Sequence, residues 1–149
     1  LSASTDGLTV HTLLIDATFP DYAQVVPKPR EVDPIAVNQA AFLQALRDVG
    51  AIRDKPNITV RLQCSEIDNT MTICTDSADY GSAETVVDFA GPMFDGIRAC
   101  NLRYLQDAIE SMPECETITI SAPEKLAPIV VRPIDEIETY SILMPVRMR

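Results

Sequence analysis

The chain is 149 residues long, 46% hydrophobic and 23% charged, enough for one ordinary domain that folds without staples. Its net charge of −10, from 12 basic and 22 acidic residues, argues against a protein that coats nucleic acid by neutralising phosphates. No stretch approaches the roughly 20 apolar residues of a membrane span, and the polar start Leu1-Ser2-Ala3-Ser4 has neither the basic nor the apolar region of a signal peptide. A soluble, cytoplasmic protein without membrane contact is expected, and the missing initiator Met suggests a fragment or a processed product.

Residues 8–19 read as one strand, straight or bent, broken by Pro20-Asp21-Tyr22. Pro27, Pro29 and Pro34 then punctuate a stretch whose missing donors and extended bias suit a linker. The expected division is 1–30 as the tail of a preceding domain, 31–36 as linker, and 37–149 as the last domain. Asn38 caps a helix to about Val49, with Phe42, Leu46 and Val49 on one face and Gly50 as its stop. Ile58, Val60, Leu62 and Cys64 alternate with polar residues, the period of a half-buried strand. Met71–Cys74 and Glu84–Phe89 read as strands, with a short one near Gly96. Asn101 caps a second helix, with Leu102, Leu105, Ile109 and Met112 on one face and Pro113 ending it. Thr117–Ser121, Ile129–Arg132 and Tyr140–Met144 are the last strands. The order implies an α+β domain, two helices packed on an antiparallel β-sheet, with an internal duplication.

Chemistry is thinly represented. Cys64, Cys74, Cys100 and Cys115 form no Cys-x-x-Cys pair, and His11 is the sole histidine, so no metal site is expected. The cysteines read as small buried hydrophobes. The carboxylates of Asp68, Asp76, Asp79, Asp135, Glu136 and Glu138 scatter over loops, and no phosphate-binding glycine pattern occurs. An enzyme and a cofactor are both unexpected.

Four motifs in order carry a resemblance. Phe19-Pro20-Asp21-Tyr22 with Val25-Val26-Pro27-Lys28 resembles the end of the middle domain of bacterial DNA sliding clamps, the DNA polymerase III β subunits. Asn101-Leu102-Arg103-Tyr104-Leu105 resembles the start of the last domain's second helix in that family. Leu126-Ala127-Pro128 with Ile129–Pro133 resembles the following strand pair, and Met144-Pro145-Val146-Arg147 the Met-Pro-Met-Arg ending. The resemblance spans essentially the whole chain and implies the DNA-clamp domain fold.

What the resemblance implies about function is a non-catalytic processivity factor in DNA replication. A full-length clamp is a homodimer ring that encircles duplex DNA without sequence preference, with helices lining the channel. Its partners are the polymerase III catalytic subunit, the clamp loader and repair proteins, each inserting a short clamp-binding peptide into an apolar groove. The residues that line up with the groove are Pro20, Gln24, Val25, Asn101, Tyr104, Leu126, Pro128, Ile142, Leu143, Met144, Pro145, Val146 and Arg147. Met in such a groove adapts to different partners. Candidates for facing DNA are Arg47, Arg53, Arg98 and Arg103, with Asp48, Asp107 and Glu110 favouring an ordinary solvated face instead. Without the resemblance, Ile142, Leu143 and Val146 read as core, Pro20 and Pro128 as turn residues, and Asn101 as a cap. Gln24 departs from an Arg common in the family, and the chain ends Met148-Arg149 where the family often ends in Leu. The early middle domain and the first domain are missing, so ring closure is not expected. The alternative is a stand-alone clamp-like peptide-binding module that does not encircle DNA.

Overall fold

The computed structural model describes residues 1–24, 26, 34–52, 58–65, 67–77, 81–124, 126–136 and 138–148. The chain opens with a hairpin of β1 (Ser2–Thr5) and β2 (Leu8–His11), joined at Asp6-Gly7, where Gly7 has φ +84°. Asp-Gly suits such a turn because glycine enters the left-handed region freely. The single strand expected over residues 8–19 is therefore a correction. Only Leu8–His11 of it is strand, paired backwards with residues that the apolar reading passed over. Leu13, Leu14, Ile15 and Phe19 stand exposed.

The rest is built from two similar halves. The first runs β3 (Ile35–Asn38), α1 (Gln39–Val49), β4 (Thr59–Cys64), β5 (Thr70–Ser77) and β6 (Gly81–Asp88). The second runs β7 (Ile97–Asn101), α2 (Leu102–Glu110), β8 (Thr117–Ser121), β9 (Ile129–Pro133) and β10 (Ser141–Leu143). In each half a strand passes directly into a helix through an asparagine that ends one and caps the other. Asn38 Oδ1 accepts the Ala41 N–H at 2.9 Å, and Asn101 Oδ1 accepts the Tyr104 N–H at 3.1 Å. Such caps satisfy donors that a helix start otherwise leaves unpaired.

The sheets are not one per half. β4, β5 and β6 form an antiparallel meander whose fourth neighbour is β7, giving the order β6-β5-β4-β7. β8, β9 and β10 likewise take β3, giving β10-β9-β8-β3. Each half thus lends its first strand to the other's sheet. Sequence reading missed β3, placing Ile35 and Ala36 in a linker; residues 31–33 lie outside the described residues. Four residues crowded by prolines show no readable period, yet Ile35 is buried and pairs with Ile120.

The helices lie side by side and cover the sheets. Phe42, Leu46 and Val49 of α1 join Leu105 and Ile109 of α2, Val60 and Leu62 of β4, and Ile118 and Ile120 of β8 in one core. Gly50 follows α1 with ordinary helical φ; its role is close approach. A Cβ there would stand 2.9 Å from the Leu46 carbonyl and 3.0 Å from Leu102 Cδ2. No described helix is long and apolar enough to cross a membrane.

Cys100 sits inside this core, fully buried, and desolvation of its thiolate pushes the thiol from 9.0 up to about 12. The unfolded chain therefore ionises first. Stability from this residue is complete below about pH 9 and is lost as pH rises toward 12. Urea unfolding at pH 8 and pH 10.5 should show a loss of about 2 kcal/mol attributable to Cys100. A Cys100→Ala variant should lack that part of the decline.

Candidate functional site

Two adjoining depressions open where α2, β7 and the C-terminal segment meet. The first, about 680 Å³, is lined by Asn101, Tyr104, Asp107, Ala108, Ser141, Ile142, Leu143, Met144 and Val146. The second, about 590 Å³, is lined by Ile97, Ala99, Leu126, Val146, Arg147 and Met148. Val146 belongs to both and forms the saddle between them.

Local structure explains the placement. The Asn101 cap fixes the first turn of α2, so Tyr104 projects outward while Leu105 turns into the core. Asp107 and Ala108, one turn further along, share the face of Tyr104. β10 pairs with β9 through Ile142↔Val130, which puts half-buried Ile142 and buried Leu143 along the floor. Beyond β10 no regular element continues, and the segment is held by the Val146 N–H donating to the Ala99 carbonyl at 2.7 Å. That bond lays residues 144–148 across β7.

The walls are apolar yet face solvent. Tyr104 is 63%, Met144 62% and Leu126 49% exposed, alongside Val146 and Met148. Side chains of this kind gathered around one concavity suit a partner that covers them. The polar rim is Asn101, Asp107, Ser141 and Arg147.

The duplication supplies an internal comparison. A constant sequence offset relates Asn38, and Ala41, Gln44 and Ala45 of the α1 it caps, to Asn101, and Tyr104, Asp107 and Ala108 of the α2 it caps. A second offset relates Thr85, Val86, Val87 and Asp88 of β6 to Ser141, Ile142, Leu143 and Met144. Those eight first-half residues, with Asp48, line a smaller depression of about 400 Å³. The backbone plan is shared, but Ala41 and Asp88 stand where the second half has Tyr104 and Met144. Two exposed apolar walls therefore distinguish one groove from its twin.

Of the residues that the resemblance nominated, Asn101, Tyr104, Ile142, Leu143, Met144 and Val146 come together in the first depression. Leu126 and Arg147 join Val146 in the second. Pro128 and Pro145 are half-buried nearby but line neither. Pro20 and Gln24 are exposed outside both, Gln24 donating to Asp21 Oδ2 at 3.1 Å, and Val25 lies outside the described residues. Sequence reading missed Asp107, Ala108, Ser141, Ile97, Ala99 and Met148. Helical spacing from Tyr104 marks the first two, strand positions beside nominated residues mark Ser141, Ile97 and Ala99, and Met148 directly follows the nominated Arg147.

The cations divide. Arg47 and Arg103 stand on exposed helix surface, Arg47 paired across the helices with Glu110 at 2.9 Å and Arg103 with Asp107 at 3.7 Å. Arg53 lies outside the described residues. Arg98 corrects the expectation of a helix-surface cation: it is on strand β7, is 2% exposed, and spends its donors on protein carbonyls. The alternation along β7 turns it inward, which the charge alone did not reveal.

No protein-family model matches the sequence. Among curated proteins the chain is similar to β sliding clamps. That of Caulobacter vibrioides is 27% identical over 135 residues, covering 91% of this chain and 35% of the clamp. Among solved structures, a Bartonella birtlesii clamp (DNA polymerase III subunit beta) bound to griselimycin superposes with TM-score 0.81 at 26% identity, over 90% of this chain and 35% of that one. A Pseudomonas aeruginosa clamp reaches TM-score 0.84 at 20% identity, over 99% of this chain and 39% of that one. The fold is that of a DNA-clamp domain, and the chain spans about a third of the length of the curated relatives it matches.

Wall and floor should separate in stability measurements. Met144→Asp and Leu126→Asp, on exposed walls, should change the free energy of unfolding by less than about 0.5 kcal/mol. Leu143→Ala, which empties a buried floor position, should cost about 2–5 kcal/mol in the same urea titrations.

Proposed function

We propose that the chain is the C-terminal region of a DNA sliding clamp, a processivity factor that tethers replication and repair proteins to duplex DNA. Its paired depressions receive the short apolar peptides by which those partners attach. The observation that carries this reading is the convergence of nominated residues from the start of α2, of Leu126 and of the C-terminal segment on two grooves joined at Val146. Their exposed apolar walls supply the affinity. Burying two peptide side chains contributes roughly 3–6 kcal/mol before ordering costs, which fits micromolar, exchangeable binding. The binding of griselimycin by the Bartonella birtlesii relative is in keeping with a groove that accepts ligands.

Residues 1–30 fit the same reading as the tail of a middle domain, its exposed Leu13, Leu14, Ile15 and Phe19 awaiting the rest of that domain's core. The partners are the polymerase III catalytic subunit, the clamp loader and repair proteins. The setting is the cytoplasm, the role non-catalytic. DNA is encircled by a homodimer ring rather than gripped by this region. The exposed helix surface supports sliding over gripping, because Arg47 and Arg103 are already matched by Glu110 and Asp107.

A fluorescence-anisotropy titration of the chain into a labelled Gln-Leu-x-Leu-Phe peptide tests the proposal. Saturable binding on the order of micromolar is expected, weakened at least about tenfold by Met144→Asp. Absence of binding by the folded chain would refute a peptide groove complete within these residues.

A further inference from the structure

Among the described residues, Arg98 is the one charged side chain that is buried. An unpaired buried cation is costly, and this one is fully engaged. Its Nε donates to the Ala122 carbonyl at 3.0 Å, Nη1 to Asp95 at 2.6 Å and Nη2 to Pro123 at 3.3 Å. The guanidinium carbon lies 5.0 Å from the centre of the Phe94 ring. A planar fork with donors at fixed angles can join three carbonyls in this way; a lysine ammonium cannot match the spacing.

The fold itself does not require a cation there. In the first half, the position equivalent to Arg98 before the capping asparagine is Ile35, buried within the same core. What differs is the chain that Arg98 holds. Ala122 and Pro123 begin the connection from β8 to β9, which turns back where the Ala127 N–H donates to the Glu124 carbonyl at 3.2 Å. Leu126 sits in that turn and lines the second depression, opposite Ile97 and Ala99, the two β7 neighbours of Arg98.

We infer that Arg98 is a positioning residue for partner binding: its guanidinium ties Ala122 and Pro123, which lead into the turn at Leu126, to β7 and so sets the Leu126 wall of the second depression. The inference rests on the peptide-groove reading above. Arg98 touches no ligand; it acts through Leu126. Loss of its donors frees the start of the turn and widens the depression, while the first depression, built on α2 and β10, keeps its shape.

A double-mutant cycle on peptide affinity tests this, with thermal unfolding establishing that each variant is folded. Arg98→Met should weaken binding of the Gln-Leu-x-Leu-Phe peptide about tenfold. In a Leu126→Ala background it should cause no further loss, and in a Met144→Ala background the full loss. Arg98→Lys, which keeps the charge and is the gentler change should the Met variant unfold, should lose affinity with the same dependence on Leu126. Unchanged affinity, or equal losses in both backgrounds, would overturn the inference while the groove reading stands. A wild-type chain that binds no peptide would remove both.

Discussion

The structure depends on an exchange: each half gives its first strand to the other half's sheet. β3 closes the sheet of β8, β9 and β10, and β7 closes that of β4, β5 and β6. The two sheets are thereby locked to one helix layer, and their inner faces form one apolar core. Backbone bonds repeat the lock on either side. Ala36 and Ala90 exchange N–H···O bonds of 2.7 and 2.8 Å, and the Val146 N–H reaches Ala99 at 2.7 Å. Because the strands that cross over end in the capping asparagines, the same exchange also fixes where α1 and α2 begin.

The candidate site grows from this arrangement. The C-terminal segment would have no reason to cross β7 unless β7 lay beside the second half's helix, and it does so because it has left its own meander. The two ends of the exchange are equivalent in backbone and unequal in side chains. Where the first half places Ala41 and Asp88, the second places Tyr104 and Met144, so one of the twin grooves carries two large exposed apolar walls that the other, with Val86 as its exposed apolar residue, lacks. Duplication supplied the shape, and a few substitutions on exposed positions gave one copy its chemistry.

Charge is distributed with the same economy. The exposed cations of α1 and α2, Arg47 and Arg103, are paired with neighbouring carboxylates, an arrangement that adds little stability at a solvated surface. Arg98 is the opposite case, a charge withdrawn from solvent and satisfied by carbonyls. Arg61 of β4 lies between them: it bonds Cys74 at 3.5 Å and pairs with Asp76 across the sheet face. Both contacts favour its charged form.

By itself, the sequence determined the helices, their caps and most strands, because these are local: the asparagine before an apolar face, the alternation of Ile58 to Cys64, the proline after Met112. It also held the groove's principal residues through motifs resembling those of a known family. Tertiary structure alone decided the rest. β3 was hidden because four residues directly after Pro34 are too few to carry a readable period, and its strand character comes from Ile120 across the ladder. Arg98 read as a surface cation because charge usually seeks water; only the local carbonyl of Asp95 together with those of Ala122 and Pro123, which the chain after β8 brings to it, makes its burial possible. Leu143 and Met144, adjacent and both apolar, part company as floor and wall because strand pairing turns one inward and leaves the other to solvent.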